Sequence, residues 1–196
     1  MSTLAASLLN ELIRSCRKCV FIDKPYVKYR AYTTWLPSTV EVLIVAESPP
    51  PSKKEDFFYN LSAFDRLRLS MKTILNLRSL KGEELLGFLR ERGVFLTSAV
   101  KCRPPSKADV PGMRERCTWV LRRELELLKP RRLLAMGKTA ATSVFEILGL
   151  KPPSSVVGIR RFRACGLELY VTPHPNFIFR FKRELAGEVK RLIELR

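Results

Sequence analysis

At 196 residues, 46% of them apolar and 28% charged, the chain is long enough for one substantial core, short for two, and too apolar for a disordered protein. No stretch approaches the roughly 18 apolar residues of a membrane span, and no basic segment followed by an apolar run opens the chain, so one cytoplasmic domain over 1–196 with no membrane partner is expected. An excess of 36 Lys and Arg over 19 Asp and Glu, a formal charge of +17, favours a polyanionic partner, because each cation docked on a phosphate releases condensed counterions.

Residues 2–15 carry Leu4, Leu8, Leu9, Leu12 and Ile13, the spacing of one helix face, with Ser2 or Thr3 as a cap. Cys16 and Cys19 follow at its end. The stretch from Val20 to Pro37 is rich in Tyr, Lys and Arg without clear periodicity and reads as irregular. Together, 1–37 reads as a helix and cofactor-binding segment packed on the remainder.

Glu41–Ala46 (EVLIVA) is a short β-branched run, as in a strand buried on both faces. It stops at Glu47-Ser48-Pro49-Pro50-Pro51, which continues neither strand nor helix. Helical patterns at 62–78 and 82–92 lead to a second strand, Gly93–Val100, and a helix over Val110–Leu128. Arg131–Met136 is a third strand, turning at Gly137-Lys138-Thr139 into a helix that runs to about Leu148. Ile159–Ala164 and Leu167–Thr172 read as a hairpin about Cys165-Gly166 whose second strand joins the sheet. A last helix follows Pro173-His174-Pro175-Asn176. Strands alternating with helices give an α/β fold with a central, mostly parallel sheet of four strands covered on both faces. Glu47, Ser98, Gly137-Lys138 and His174 then lie at the strands' carboxyl edge, where such folds place ligand chemistry.

The cysteines carry the strongest signal. Cys16-x-x-Cys19 and the pair Cys102 and Cys117 form two couples far apart in sequence, as a closed four-thiolate site needs, and either Zn2+ or a [4Fe–4S] cluster suits them. The wide Cys102–Cys117 interval favours the bulkier cluster. Cys165 reads as a plain thiol. His174, the chain's one histidine, stands between two prolines that hold its backbone still. Opposite it, Glu47 could orient or deprotonate a water. Gly137-Lys138-Thr139 is not a nucleoside-triphosphate loop, because Arg132 occupies the place of the required earlier glycine. Lys138, beside a helix start, suits a nucleic-acid phosphate instead. Lys101 and Arg103 flank Cys102 and read as phosphate contacts too. Among Phe57-Phe58-Tyr59 one or two rings could stack on a base, and Phe177 and Ile178 ahead of Arg180 offer wedges beside a cation. A chain without glutamine and with little asparagine is depleted in labile amides, which suits growth at high temperature.

In order, these segments resemble the uracil-DNA glycosylase superfamily, and within it the iron–sulfur family-four enzymes. VLIVAESPP (42–50) is similar to the family's strand and GEAPG motif, and VFLTSAVKCRPP (94–105) to its strand ending in TNVVKCRPP. Cys117 with LKPRRLLAMGKTAA (128–141) and VTPHPNFIFR (171–180) resemble its later cysteine, its LGRTAA strand and its His-Pro motif. The resemblance implies an α/β/α sandwich, a [4Fe–4S] cluster on Cys16, Cys19, Cys102 and Cys117, and a monomeric enzyme that removes a deaminated base, uracil, from DNA. By the same resemblance Glu47 and His174 are catalytic, Ala46, Phe58 and Ser98 form the base pocket, and Lys101, Arg103, Lys138, Asn176, Ile178 and Arg180 meet DNA. Two departures stand out. Ser98 replaces the Asn whose amide reads the uracil edge, and Ala46-Glu47-Ser48-Pro49-Pro50 lacks both glycines of GEAPG. Hypoxanthine or xanthine excision, or DNA binding without catalysis, are the alternatives that Ser98 raises.

Overall fold

The computed structural model describes residues 2–164 and 166–194; Cys165 lies outside them. Strands β1 (Val42–Ala46), β2 (Val94–Ser98), β3 (Arg132–Met136), β4 (Arg160–Ala164) and β5 (Leu167–Thr172) form a five-stranded sheet in the order β2-β1-β3-β5-β4. The first four strands in that order run parallel, and β4 pairs antiparallel with β5 at the edge. The expected sheet of four strands is thus one short, because the first arm of the hairpin also belongs to it. In β4 (RRFRA) the three arginines are exposed and Phe162 turns inward against Phe145, so it resembles no buried parallel strand.

All five residues of β1 and of β2 are buried, which requires cover on both faces of the sheet. Each fully buried Val, Leu or Ile there contributes roughly 1.5–3 kcal/mol before chain entropy is counted. The helices form two groups. Helices α1 (Ser2–Ser15), α2 (Pro25–Lys28) and α3 (Ala31–Trp35) pack together, with α1 against α6 (Val110–Leu128) and α6 against α7 (Lys138–Ile147). Helix α4 (Arg66–Ile74) packs on α8 (Pro175–Phe181) and α9 (Ala186–Ile193), and α5 (Gly82–Glu91) lies on β2. The stretch 20–37, read as irregular, holds the two short helices α2 and α3. The single last helix is broken at Lys182 by a 3-10 turn over Arg183–Leu185.

The N-terminal segment is stitched to the loop after β2. Ile22 N–H donates to Arg103 O at 3.0 Å and Arg103 N–H donates to Asp23 O at 2.9 Å. Lys24 Nζ gathers the carbonyls of Ile13, Arg14 and Cys16 at 2.6–2.7 Å, neutralising the end of α1 with one ammonium. At the sheet's β2 edge, the Tyr59 hydroxyl donates to Leu96 O at 2.7 Å and accepts from Leu96 N–H at 3.2 Å. Among the described residues no helix is long and apolar enough to cross a membrane.

Candidate active site

The carboxyl ends of β1, β2, β3 and β5 open into a cleft of about 830 Å3. Glu47, Ala46 and Ser98 line it, as do Phe57, Phe58, Gly137, Lys138, His174 and Asn176. Each strand stops there for a local reason. After β1 the prolines remove backbone donors. After β3, Gly137 has φ +94°, a left-handed value that glycine adopts freely, and a Cβ built on it would stand 3.5 Å from His174 Cβ. The turn therefore brings the start of α7 directly against the histidine.

Glu47 is half-buried, and its Oε2 accepts a 2.6 Å bond from Thr139 Oγ1 at the first turn of α7. One carboxylate oxygen is thereby oriented. His174 caps α8, its Nδ1 accepting from Asn176 N–H at 3.2 Å. An Nδ1 that accepts leaves the proton of the neutral ring on Nε2. Burial pushes the His174 pKa below its usual 6.5, the nearby Glu47 carboxylate opposes that shift, and Lys107 adds to it. The ring is thus a neutral donor at neutral pH. On the acid side of 6.5 the unfolded chain takes the proton first, so this group costs stability as pH falls and none above it. The activity prediction has the same sign: kcat/KM should show no decline traceable to His174 as pH rises from 6.5 to 9. A basic limb that disappears in His174→Ala would instead identify an imidazolium acid.

Ser98 is buried at the floor, and its hydroxyl is spoken for. It accepts from the Tyr26 hydroxyl at 2.8 Å and donates to Val100 O at 2.6 Å. Tyr26 comes from α2, lines the cleft and is fully buried, which raises its pKa. Of the three adjacent aromatics, Phe57 and Phe58 line the cleft while Tyr59 is occupied by the sheet edge. Asn176 Oδ1 accepts from Ser70 Oγ at 2.8 Å.

Three expected DNA contacts are corrected by burial. Lys101 is 1% exposed, pairs with Glu124 and donates to Thr97 Oγ1 and Ser98 O. Arg103 is 0% exposed, bound to Asp23 at 3.0 Å and to the carbonyls of Pro50 and Asp56. Ile178 is 0% exposed, on the inward side of α8. None of the three can reach a duplex. Lys138 and Arg180 are exposed on the cleft rim beside Lys54, Arg66 and Lys107, and Phe177, Phe181 and Phe64 stand exposed there. Tyr26, Asp56, Thr139 and Lys107 carry no sequence signal of their own as site residues, apart from Thr139, whose place in Gly137-Lys138-Thr139 suggests a phosphate loop.

The four cysteines Cys16, Cys19, Cys102 and Cys117 are free thiols lining one small cavity with Phe21, Val100 and Met113. Burial pushes the Cys102 thiol up to about 12 and the Cys117 thiol up to about 11, with the neighbouring Cys117 adding to the first and Lys101 opposing the second. Arg116 and Lys18 complete the wall. Among the described residues no group of three or more His, Cys, Asp or Glu is gathered so that it could hold a metal ion. Four sulfurs in an apolar setting with cations at the rim are a fitting donor set for an anionic metal–sulfur centre.

Residues 34–195 match the model of the Uracil DNA glycosylase superfamily. The chain is 31% identical over 194 residues to a protein of Pyrobaculum aerophilum named Type-4 uracil-DNA glycosylase, covering 93% of this chain and 88% of the relative. It is 27% identical over 154 residues to a Type-4 uracil-DNA glycosylase of Archaeoglobus fulgidus, covering 73% and 66%. A Type-5 uracil-DNA glycosylase of Pyrobaculum aerophilum is 36% identical over 85 residues, covering 43% and 37%. With the Glu47 and His174 ends of β1 and β5 facing one cleft and the match running through nearly the whole chain, the protein belongs to the uracil-DNA glycosylase superfamily.

Proposed function

We propose that this chain is a monofunctional DNA glycosylase of base-excision repair, acting as a monomer inside the cell and hydrolysing the N-glycosidic bond of uracil in DNA. The observation that carries this reading is the pairing, across one cleft, of an oriented carboxylate and a neutral imidazole whose Nε2–H is available. Rim cations Lys54, Lys107, Lys138 and Arg180 meet phosphates, and the exposed Phe177 and Phe181, 5.3 Å apart, press into the stack as the uridine swings out. Phe58 stacks on the base. His174 Nε2–H donates to the carbonyl oxygen on which negative charge builds as the base departs. Glu47 holds a water against the electron-poor sugar carbon and accepts its proton. No electron transfer is needed.

The cysteines would hold a [4Fe–4S] cluster. A single zinc takes four sulfurs at about 2.3 Å from one point, whereas the wide interval between Cys102 and Cys117 suits a bulkier group whose irons each take one thiolate. Such a centre, when bound, would supply a cross-link between the Cys16–Cys19 segment and both the loop after β2, which follows Ser98, and helix α6. The purified protein should be brown and carry about four irons per chain; a colourless protein with one zinc would overturn the cluster.

The activity is tested with labelled oligonucleotides carrying one uracil, hypoxanthine or xanthine, read as abasic sites cleaved by alkali. Abasic sites from uracil are expected. Their absence, with release of one of the purines, would reassign the lesion, and no release from any would leave a binding protein.

A further inference from the structure

Three aromatic side chains are exposed among the described residues, Phe64 at 66%, Phe177 at 39% and Phe181 at 67%, and all three line the cleft. Single apolar residues scattered over a surface are ordinary; exposed rings gathered at one opening mark a binding surface. Phe177 and Phe181 lie one turn apart on α8, their ring centroids 5.3 Å apart. Phe64 is mounted differently. It ends the loop that follows Phe57 and Phe58 and precedes α4, the helix that packs on α8. Arg68, 7% exposed, fixes that loop, donating through Nη1 to Phe58 O and Asn60 O, both at 2.9 Å, and through Nη2 to Ala63 O. Asp65 Oδ1 accepts from Arg68 N–H at 2.6 Å and so caps α4. The backbone on both sides of Phe64 is held, and a ring on a held backbone loses little freedom when it is covered. Arg66, two residues on, stands exposed on the same rim as Lys54, Lys107, Lys138 and Arg180, so the surface suits a partner that carries negative charge.

We propose that Phe64, with Phe177 and Phe181, is a stacking platform for the unpaired bases that flank the flipped uridine, and that single-stranded DNA is the preferred form of the substrate. This rests on the uracil reading given above and adds the strand to it. A flat apolar ring among cations suits a planar base joined to a phosphate. In a duplex the faces of the bases are covered by their neighbours, and a flipped nucleotide vacates one step, which one wedge fills. Three rings on two elements offer more stacking surface than that gap takes. In a single strand every base has a free face, and an unpaired uridine swings out at lower cost than a paired one. Phe64 separates the two cases, because Phe177 and Phe181 already serve as the wedge.

Binding of a uracil-free oligonucleotide, single-stranded or in duplex, is measured by fluorescence anisotropy for wild type, Phe64→Ala and Phe64→Tyr, beside kcat/KM on the same sequence carrying one uracil and thermal melts. Wild-type kcat/KM should be higher on the single strand. Phe64→Ala should weaken single-strand binding about 5- to 150-fold, the range for one base stacked on an aromatic side chain, weaken duplex binding much less, and melt with the wild type. Phe64→Tyr keeps the ring and should bind as wild type does. Baseless spacers on both sides of the uracil should cost wild type more than they cost Phe64→Ala. Equal losses on single strand and duplex in Phe64→Ala, a wild type that prefers the duplex, or spacers that cost both proteins the same overturn the proposal. A wild type that releases uracil from neither form is the distinct failure of the underlying reading, and binding of the uracil-free strand still decides whether Phe64 stacks.

Discussion

Replacing Glu47 with alanine should slow single-turnover release of uracil by about 10²- to 10⁴-fold, the range for a positioned acid–base group, while the affinity for uracil-containing DNA stays close to wild type. The asymmetry follows from where the group sits. Glu47 is recessed at the end of β1 with Oε2 on Thr139, below the rim where Lys138 and Arg180 stand exposed. Its loss removes the water's proton acceptor and leaves the phosphate contacts untouched. Glu47→Gln retains an oxygen for Thr139 and loses the charge, so a defect as deep as that of alanine would assign the effect to charge and not to position. Thr139→Val should cost less than Glu47→Ala, because it frees the carboxylate without deleting it. Turnover unchanged in Glu47→Ala would remove this mechanism.

Lys101→Met should destabilise the fold by about 3–5 kcal/mol, the cost of stranding a buried charge, which for a chain of this length lowers Tm by roughly 6–20 °C. Glu124 is 0% exposed and is held by Lys101, Thr97 and Tyr32; without the ammonium its charge has no counterpart. The double variant Lys101→Met with Glu124→Leu should recover much of the loss, since apolar replacements of both partners are often neutral. Its DNA affinity should retain the wild-type salt dependence. A phosphate contact would instead reduce the salt slope by about one, so one titration separates the buried role from the surface role expected from sequence.

That error shows where sequence reading stops. β1 and β2 are legible because short β-branched runs bounded by proline or glycine fit little else, and the strand ends alone place Glu47 and His174 at one edge. Lys101 and Arg103 were read outward because a cationic loop beside a cysteine suits phosphate. Their burial is decided by Glu124 and Asp23, residues 23 and 80 positions away, and no local pattern announces such partners. Ile178 failed more simply. In the short helix α8, Phe177 and Phe181 face the cleft and the residue between them on the inner side faces the core, a phase that the proline-bounded start hides. β4 was seen as an arm of a hairpin, but three arginines in five residues concealed its place in the sheet. Tyr26 lay in a segment without periodicity, and only folding brings it to Ser98.

The two borders of the sheet bear on self-association. A strand at a sheet edge is a template on which another chain can add a strand. On one border, the amide and carbonyl of Leu96, the central residue of β2, are both taken by the Tyr59 hydroxyl. On the other, β4 presents Arg160, Arg161 and Arg163, and a second copy approaching there would bring like charge against like charge. The sheet is thus sealed by a phenol on one side and by guanidinium groups on the other. Tyr59→Phe, which reopens the Leu96 groups, is the change that most directly exposes a border to fibrous or edge-to-edge assembly.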